Sequence, residues 1–150
     1  MQEKLSIVNK TGERIPLLPL EKIKNDILGK SYSLSIAYVD EKKSQELNRK
    51  YRNKNKPANI LSFSLRKNEG EIIITPSLVK KENKNFGRTY PQFLGFLVIH
   101  GMLHLKGMTH SSRMERTEEK YDQKYFGRNR HRILNDKSRG RRISKRRKKS

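Results

Sequence analysis

Apolar and polar residues alternate over Leu5-Ser6-Ile7-Val8 and over Ser33-Leu34-Ser35-Ile36-Ala37-Tyr38-Val39. That period of two predicts two strands, the second bounded by Asp40. Between them the period changes, because Leu17, Leu18, Leu20, Ile23, Ile27 and Leu28 recur at helical spacing after Pro16 and stop at Gly29. An amphipathic helix is expected there. Asp40 is suited to cap a further helix running through Leu47 to Tyr51. Asn59 to Leu65 and Glu71 to Thr75 read as two more strands, with a turn around Asn68-Glu69-Gly70. Thr75-Pro76 sets an N-cap followed by Pro at the first helical position, which starts a short helix through Val79.

From Phe93 to Leu105 the pattern leaves almost no polar face, so this helix is expected to be central and buried. Gly107 can take the left-handed conformation that ends it. Ser112-Arg113-Met114-Glu115 has capping-box spacing and opens a last helix with Met114, Tyr121 and Tyr125 on its buried side. Mixed in this order, the elements predict a single α+β domain with about four strands in a mixed sheet packed by helices.

Composition adds a second component. Of 150 residues only 32% are hydrophobic and 34% are charged, and 36 Lys and Arg against 15 Asp and Glu give a formal charge of +21. Residues 128–150 hold twelve of those basic residues against one acid, Asp136. With three aliphatic residues and no aromatic, this tail has too little to bury and is expected to be disordered, leaving 1–127 as the folded domain. The folded part is itself basic, which points to a polyanionic partner, nucleic acid before membrane. Arg141, Arg142, Arg146 and Arg147 are the tail's candidate RNA contacts. No stretch approaches the ~20 apolar residues that span a bilayer, and Met1-Gln2-Glu3-Lys4 lacks the layout of a secretory signal. The chain is expected in the cytoplasm, with no membrane partner. Without cysteine, any metal must be held by His, Asp or Glu.

Three of four histidines fall within eleven residues: His100, His104 and His110. The first two lie four apart on the apolar helix and project from one face, and Gly107 lets the chain turn back to bring in the third. Left unpartnered on such a helix, each imidazole would cost roughly 1–3 kcal/mol, so a shared ligand explains them better than chance. Three neutral imidazoles with an open fourth position suit one zinc ion. The spacing is that of metzincin proteases except that Gly101 stands where their general base Glu would be, which keeps the metal site and removes the proton acceptor. His131, alone in the tail, carries no such signal.

The run from His100 to His110, His-Gly-Met-Leu-His-Leu-Lys-Gly-Met-Thr-His, resembles the His-Gly-x-Leu-His-Leu-x-Gly-Tyr-Asp-His signature of the YbeY family of bacterial single-strand endoribonucleases. Residues 46–63 are similar to that family's Glu-Leu-Asn-x-x-Tyr-Arg block ending in Leu-Ser-Phe-Pro, and Gly70 to Ile74 to its Gly-Asp-Ile-x-Ile. The resemblance covers about residues 33 to 126. It departs at Ala58 for Thr, Ser64 for Pro, Glu71 for Asp, Met108 for Tyr and, beside the third ligand, Thr109 for Asp. The last change is expected to remove a carboxylate that would orient a ligand.

The resemblance implies a zinc-dependent endoribonuclease acting on single-stranded RNA in ribosomal RNA maturation. Its partners would be ribosomal RNA and small-subunit components, and it would need no nucleotide cofactor. It implies catalytic roles for the three histidines and for Arg52, whose guanidinium suits a phosphate, with Lys54 and Lys56 as further RNA contacts. The competing readings are a metal-stabilised RNA-binding ribosome-assembly factor with little catalytic rate and, opposed by Gly101, a peptidase.

Overall fold

A computed structural model describes residues 4–137, with side chains through Gly127. The elements run β1 (Leu5–Asn9), α1 (Leu20–Ile27), β2 (Ser33–Tyr38), α2 (Glu41–Arg52), β3 (Ile60–Arg66), β4 (Glu69–Ile74), α3 (Pro76–Glu82), a 3-10 turn over Asn83–Phe86, α4 (Tyr90–Leu105) and α5 (Ser112–Lys137). The strands form one sheet in the order β1-β2-β4-β3. β2 lies parallel to both β1 and β4, while β3 and β4 form an antiparallel hairpin, so the sheet is mixed and the fold is a single α+β domain.

Strand alternation divides the core in two. Leu34, Ile36, Tyr38, Ile72 and Ile74 face one side, where they pack with α1, α3, α4 and Met114 of α5. Ala37, Val39, Leu61 and Ile73 face the other and are covered by Leu47 of α2, Ala58 and Phe63. The apolar stretch behaves as its pattern predicts: in α4, Phe93, Leu94, Val98, Ile99, Met102 and Leu103 are essentially inaccessible. A capping box at Thr89 and Gln92 starts this helix. The Thr89 hydroxyl accepts from the Gln92 amide at 3.3 Å, and the Gln92 side chain accepts from the Thr89 amide at 3.1 Å.

Several expected boundaries shift, each for a local reason. α1 begins at Leu20 and not after Pro16, because Pro19 disfavours helical geometry at Leu18; Leu17 is left 98% exposed. The β3–β4 turn is tighter than expected, with Arg66 opposite Glu69, and Gly70 lies within β4 against Leu34. Thr75 precedes α3 without capping it, since its hydroxyl donates to the Ala58 carbonyl at 2.8 Å. α3 continues past Val79 to Glu82. The cap of α5 is Ser111, whose hydroxyl accepts from the Met114 amide at 3.1 Å, one residue before the expected box. Asp40 does cap α2, accepting from the Lys43 amide at 2.8 Å.

α5 runs across the 127/128 boundary to Lys137. The absence of an apolar stripe argues against helix there. An anchored helix, however, extends at one hydrogen bond per residue without a new nucleus, and Arg, Leu and Lys are good helix formers. Arg141, Arg142, Arg146 and Arg147 lie outside the described residues. No helix among the described residues is long and apolar enough to cross a membrane.

Candidate metal centre

α4 presents His100 and His104 one turn apart, and Gly107, at φ +104°, reverses the chain so that His110 returns beside them. The three rings meet with centroid separations of 4.6, 4.8 and 5.3 Å. One nitrogen from each lies within 4.8 Å of the others, the only such cluster of possible ligands among the described residues. Both helical histidines are partly buried and His110 is exposed, so the cluster opens to solvent on one side.

The outward-facing nitrogens of the two helical rings are already engaged. Nδ1 of His104 donates to the Met108 carbonyl at 3.0 Å, and Nδ1 of His100 is bound to the Glu118 carboxylate. A carbonyl or carboxylate can only accept, so each Nδ1 carries a proton, and a ring that holds that proton alone keeps its lone pair on Nε2. Those two Nε2 atoms stand 3.1 Å apart. Two bare acceptors at that distance repel unless a cation lies between them. Tetrahedral zinc with Zn–N bonds of about 2.0–2.1 Å would hold its ligand nitrogens about 3.3 Å apart. The donor set therefore fits a divalent metal. Burial, with His100 beside it, also lowers the pKa of His104 below the usual imidazole range, which keeps the ring neutral and ligating at physiological pH.

Glu118 is the residue that motif reading missed. The stripe Met114, Glu118, Tyr121, Asp122, Tyr125 is helical in period, and two acids interrupt it. Glu118 is 8% exposed and Asp122 is fully buried. An acid on the buried stripe of an amphipathic helix needs a partner, and that was the available signal. Asp122 accepts from Arg88 at 2.9 Å, and the Arg88 guanidinium also lies 4.3 Å from the Phe96 ring centroid. This pair sets α5 alongside α4, one turn from where Glu118 meets His100. Tyr125 and Lys124 bind Asp26 at 2.8 and 2.6 Å and tie the same helix to α1. A carboxylate thus orients a ligand even with Thr109 in place of Asp.

Gly101 has a packing reason. A Cβ there would lie 3.0 Å from Ile60 Cδ1 and 3.3 Å from Ile72 Cδ1, so the position faces the sheet and not the imidazoles. Arg52, Lys54 and Lys56 are exposed at the end of α2 and in the loop after it, on the layer across the sheet from α4. That loop leads from Arg52, through Asn53 in the left-handed region at φ 62°, to Ile60 against Gly101.

The chain matches the family model described as Endoribonuclease YbeY over residues 5–128. It is 35% identical to an Endoribonuclease YbeY of Staphylococcus carnosus, across 65% of this chain and 69% of that relative. A Staphylococcus aureus protein of the same name is 34% identical across 57% of this chain and 64% of its own length. The solution structure of TM1509 from Thermotoga maritima superposes with a TM-score of 0.58 at 27% identity, covering 92% of this chain and 99% of that one.

Proposed function

The chain belongs to the YbeY endoribonuclease family, and from that premise we propose that it is a zinc-dependent hydrolase of single-stranded RNA phosphodiesters in ribosomal RNA maturation. The observation that carries the metal reading is the convergence of His100, His104 and His110, with the Nε2 atoms of His100 and His104 3.1 Å apart and facing each other. His100, His104 and His110 would hold the ion. When bound, it supplies Lewis-acid polarisation of a phosphoryl oxygen and acidifies water.

The protein's own residues do the rest. Glu118 and the Met108 carbonyl fix the tautomer and orientation of two ligands, so that the site is formed before substrate arrives. Arg52 is proposed to bind the reacting phosphate with its planar guanidinium, and Lys54 and Lys56 neighbouring phosphates. Arg141, Arg142, Arg146 and Arg147 are proposed to add salt-sensitive affinity for ribosomal RNA. Work in the cytoplasm, on RNA in the small ribosomal subunit, fits the basic charge and the lack of cysteine.

The test is RNA degradation by the purified chain with chelator, and after zinc is restored. Cleavage that chelator abolishes and zinc restores is the expected result. RNA that stays bound and intact in the presence of metal would make the protein an RNA-binding assembly factor instead.

A further inference from the structure

Between Arg49 and Lys67 the chain carries seven basic residues and no acid, and all seven are exposed. Part of this charge serves the helix. Arg49, Lys50 and Arg52 occupy the last turn of α2, where the free carbonyls favour cations. That account does not extend to Lys54 and Lys56 in the following loop, which lie beyond the helix end.

In the middle of this charge stands Tyr51, 58% exposed. Its ring is braced edge-on by Phe63 of β3, with centroids 5.4 Å apart and planes at 62°. Phe63 in turn packs on the small core beneath α2. Leu47, Ala58 and Phe63 already cover that core, so burial does not explain a large ring held out in water. Nζ of Lys50 lies 5.2 Å from the Tyr51 centroid, within reach of the phosphate of a nucleotide stacked on the ring. A braced aromatic face with a lysine over it, set in a run of basic residues, is the arrangement that single-strand binders present to an unpaired base.

We propose that Tyr51, backed by Phe63, is a stacking platform for one unpaired base of the RNA, with Arg49, Arg52 and Lys54 on the flanking phosphates. This rests on the RNA reading above and deepens it by giving single-strand selectivity a source. A base inside an A-form helix has both faces covered by its neighbours and cannot reach the ring.

The experiment uses the full chain and a single-stranded oligoribonucleotide carrying 5-iodouridine, irradiated and mapped by mass spectrometry. The expected crosslink is on Tyr51. In parallel, binding of single-stranded and duplex RNA of one sequence is compared for wild type, Tyr51→Phe and Tyr51→Ala. Tyr51→Phe keeps its affinity. Tyr51→Ala loses about 5- to 100-fold for the single strand only, with an unchanged salt slope. Crosslinks that avoid Tyr51 in a chain that binds and cleaves RNA overturn the platform alone, as does an equal loss for both forms of RNA. A wild-type chain that binds no single-stranded RNA overturns the RNA reading as well.

Discussion

Glu118 reaches from α5 to Nδ1 of His100 on α4, and by accepting the hydrogen bond from that nitrogen it decides which side of the ring faces the other two histidines. Replacing it with Ala is expected to weaken zinc affinity about 10- to 100-fold, read by competition against a chromogenic chelator. Gln, which still accepts from Nδ1, should recover part of the loss. Unchanged affinity in Glu118→Ala would show that the carboxylate orients nothing.

The position after His100 separates the nuclease reading from the peptidase one. Gly101→Ala sets a methyl 3.0 Å from Ile60 Cδ1, a flexible side-chain end that can yield. The gain in helix propensity roughly offsets the crowding, so stability should stay within about 1 kcal/mol of wild type. Gly101→Glu drives a carboxylate against Ile60 and Ile72 and should cost several kcal/mol, with metal binding lost together with the fold. A Gly101→Glu chain that melts normally would show that this position does not face the sheet, and peptide cleavage by the wild-type chain would reverse the assignment.

The histidine triad was legible because helical period and ligand spacing are both local, and α4 was marked by its lack of a polar face. Glu118 was not, since its partner lies eighteen residues away and only the packing of α5 on α4 brings them together. The strands were readable as elements, yet their order was not. Nothing in the alternation of Ile72, Ile73 and Ile74 states that β4 inserts between β2 and β3. The start of α1 is not legible from the period, because Leu17 and Leu18 fit it while Pro19 overrides it.

Arg52→Ala is expected to lower the rate of RNA cleavage by about 100-fold, the usual scale for removing one charge-stabilising donor. As an exposed residue it should change stability by no more than about 0.5 kcal/mol. Turnover at saturating RNA and thermal melting of the same preparation check both. A melting shift large enough to account for the lost turnover would make Arg52 a structural residue.

Tyr38 is 2% exposed, and burial, with Tyr90 beside it, pushes its phenol up to about 12. In the unfolded chain the same group ionises from about 10. Between those values the unfolded state has released a proton that the folded state still holds, so stability falls as pH rises. Tyr38 contributes about 1.4 kcal/mol per pH unit to this fall, absent below pH ~10, and the phenols of Tyr32, Tyr90 and Tyr125, raised chiefly by burial, add in the same direction. Urea midpoints from pH 9 to 11.5 should show the fall in wild type, and Tyr38→Phe should make it shallower.

Residues 138–150 carry eight basic residues and no acid. A chain ending at Lys137 keeps the whole of α5 and should fold and bind metal as before. Its affinity for RNA should be weaker, and log K against log salt should become shallower by about 0.7 for each phosphate that is no longer neutralised. Turnover of a short RNA at saturation should not change. An equal slope in both chains would show that this segment does not touch RNA.

The two sides of the sheet are unequal: among the described residues eighteen buried side chains form the core around α4, and four form the layer under α2. Resistance to local opening follows the apolar area that an opening exposes, so the two halves differ in stiffness. The helix that carries His100 and His104 opens only at a large cost. The α2 layer, with Arg52 and Tyr51, can lift and resettle at far smaller cost, so an irregular strand would meet an adjustable surface on one face of the sheet while the helix on the other face stays stiff.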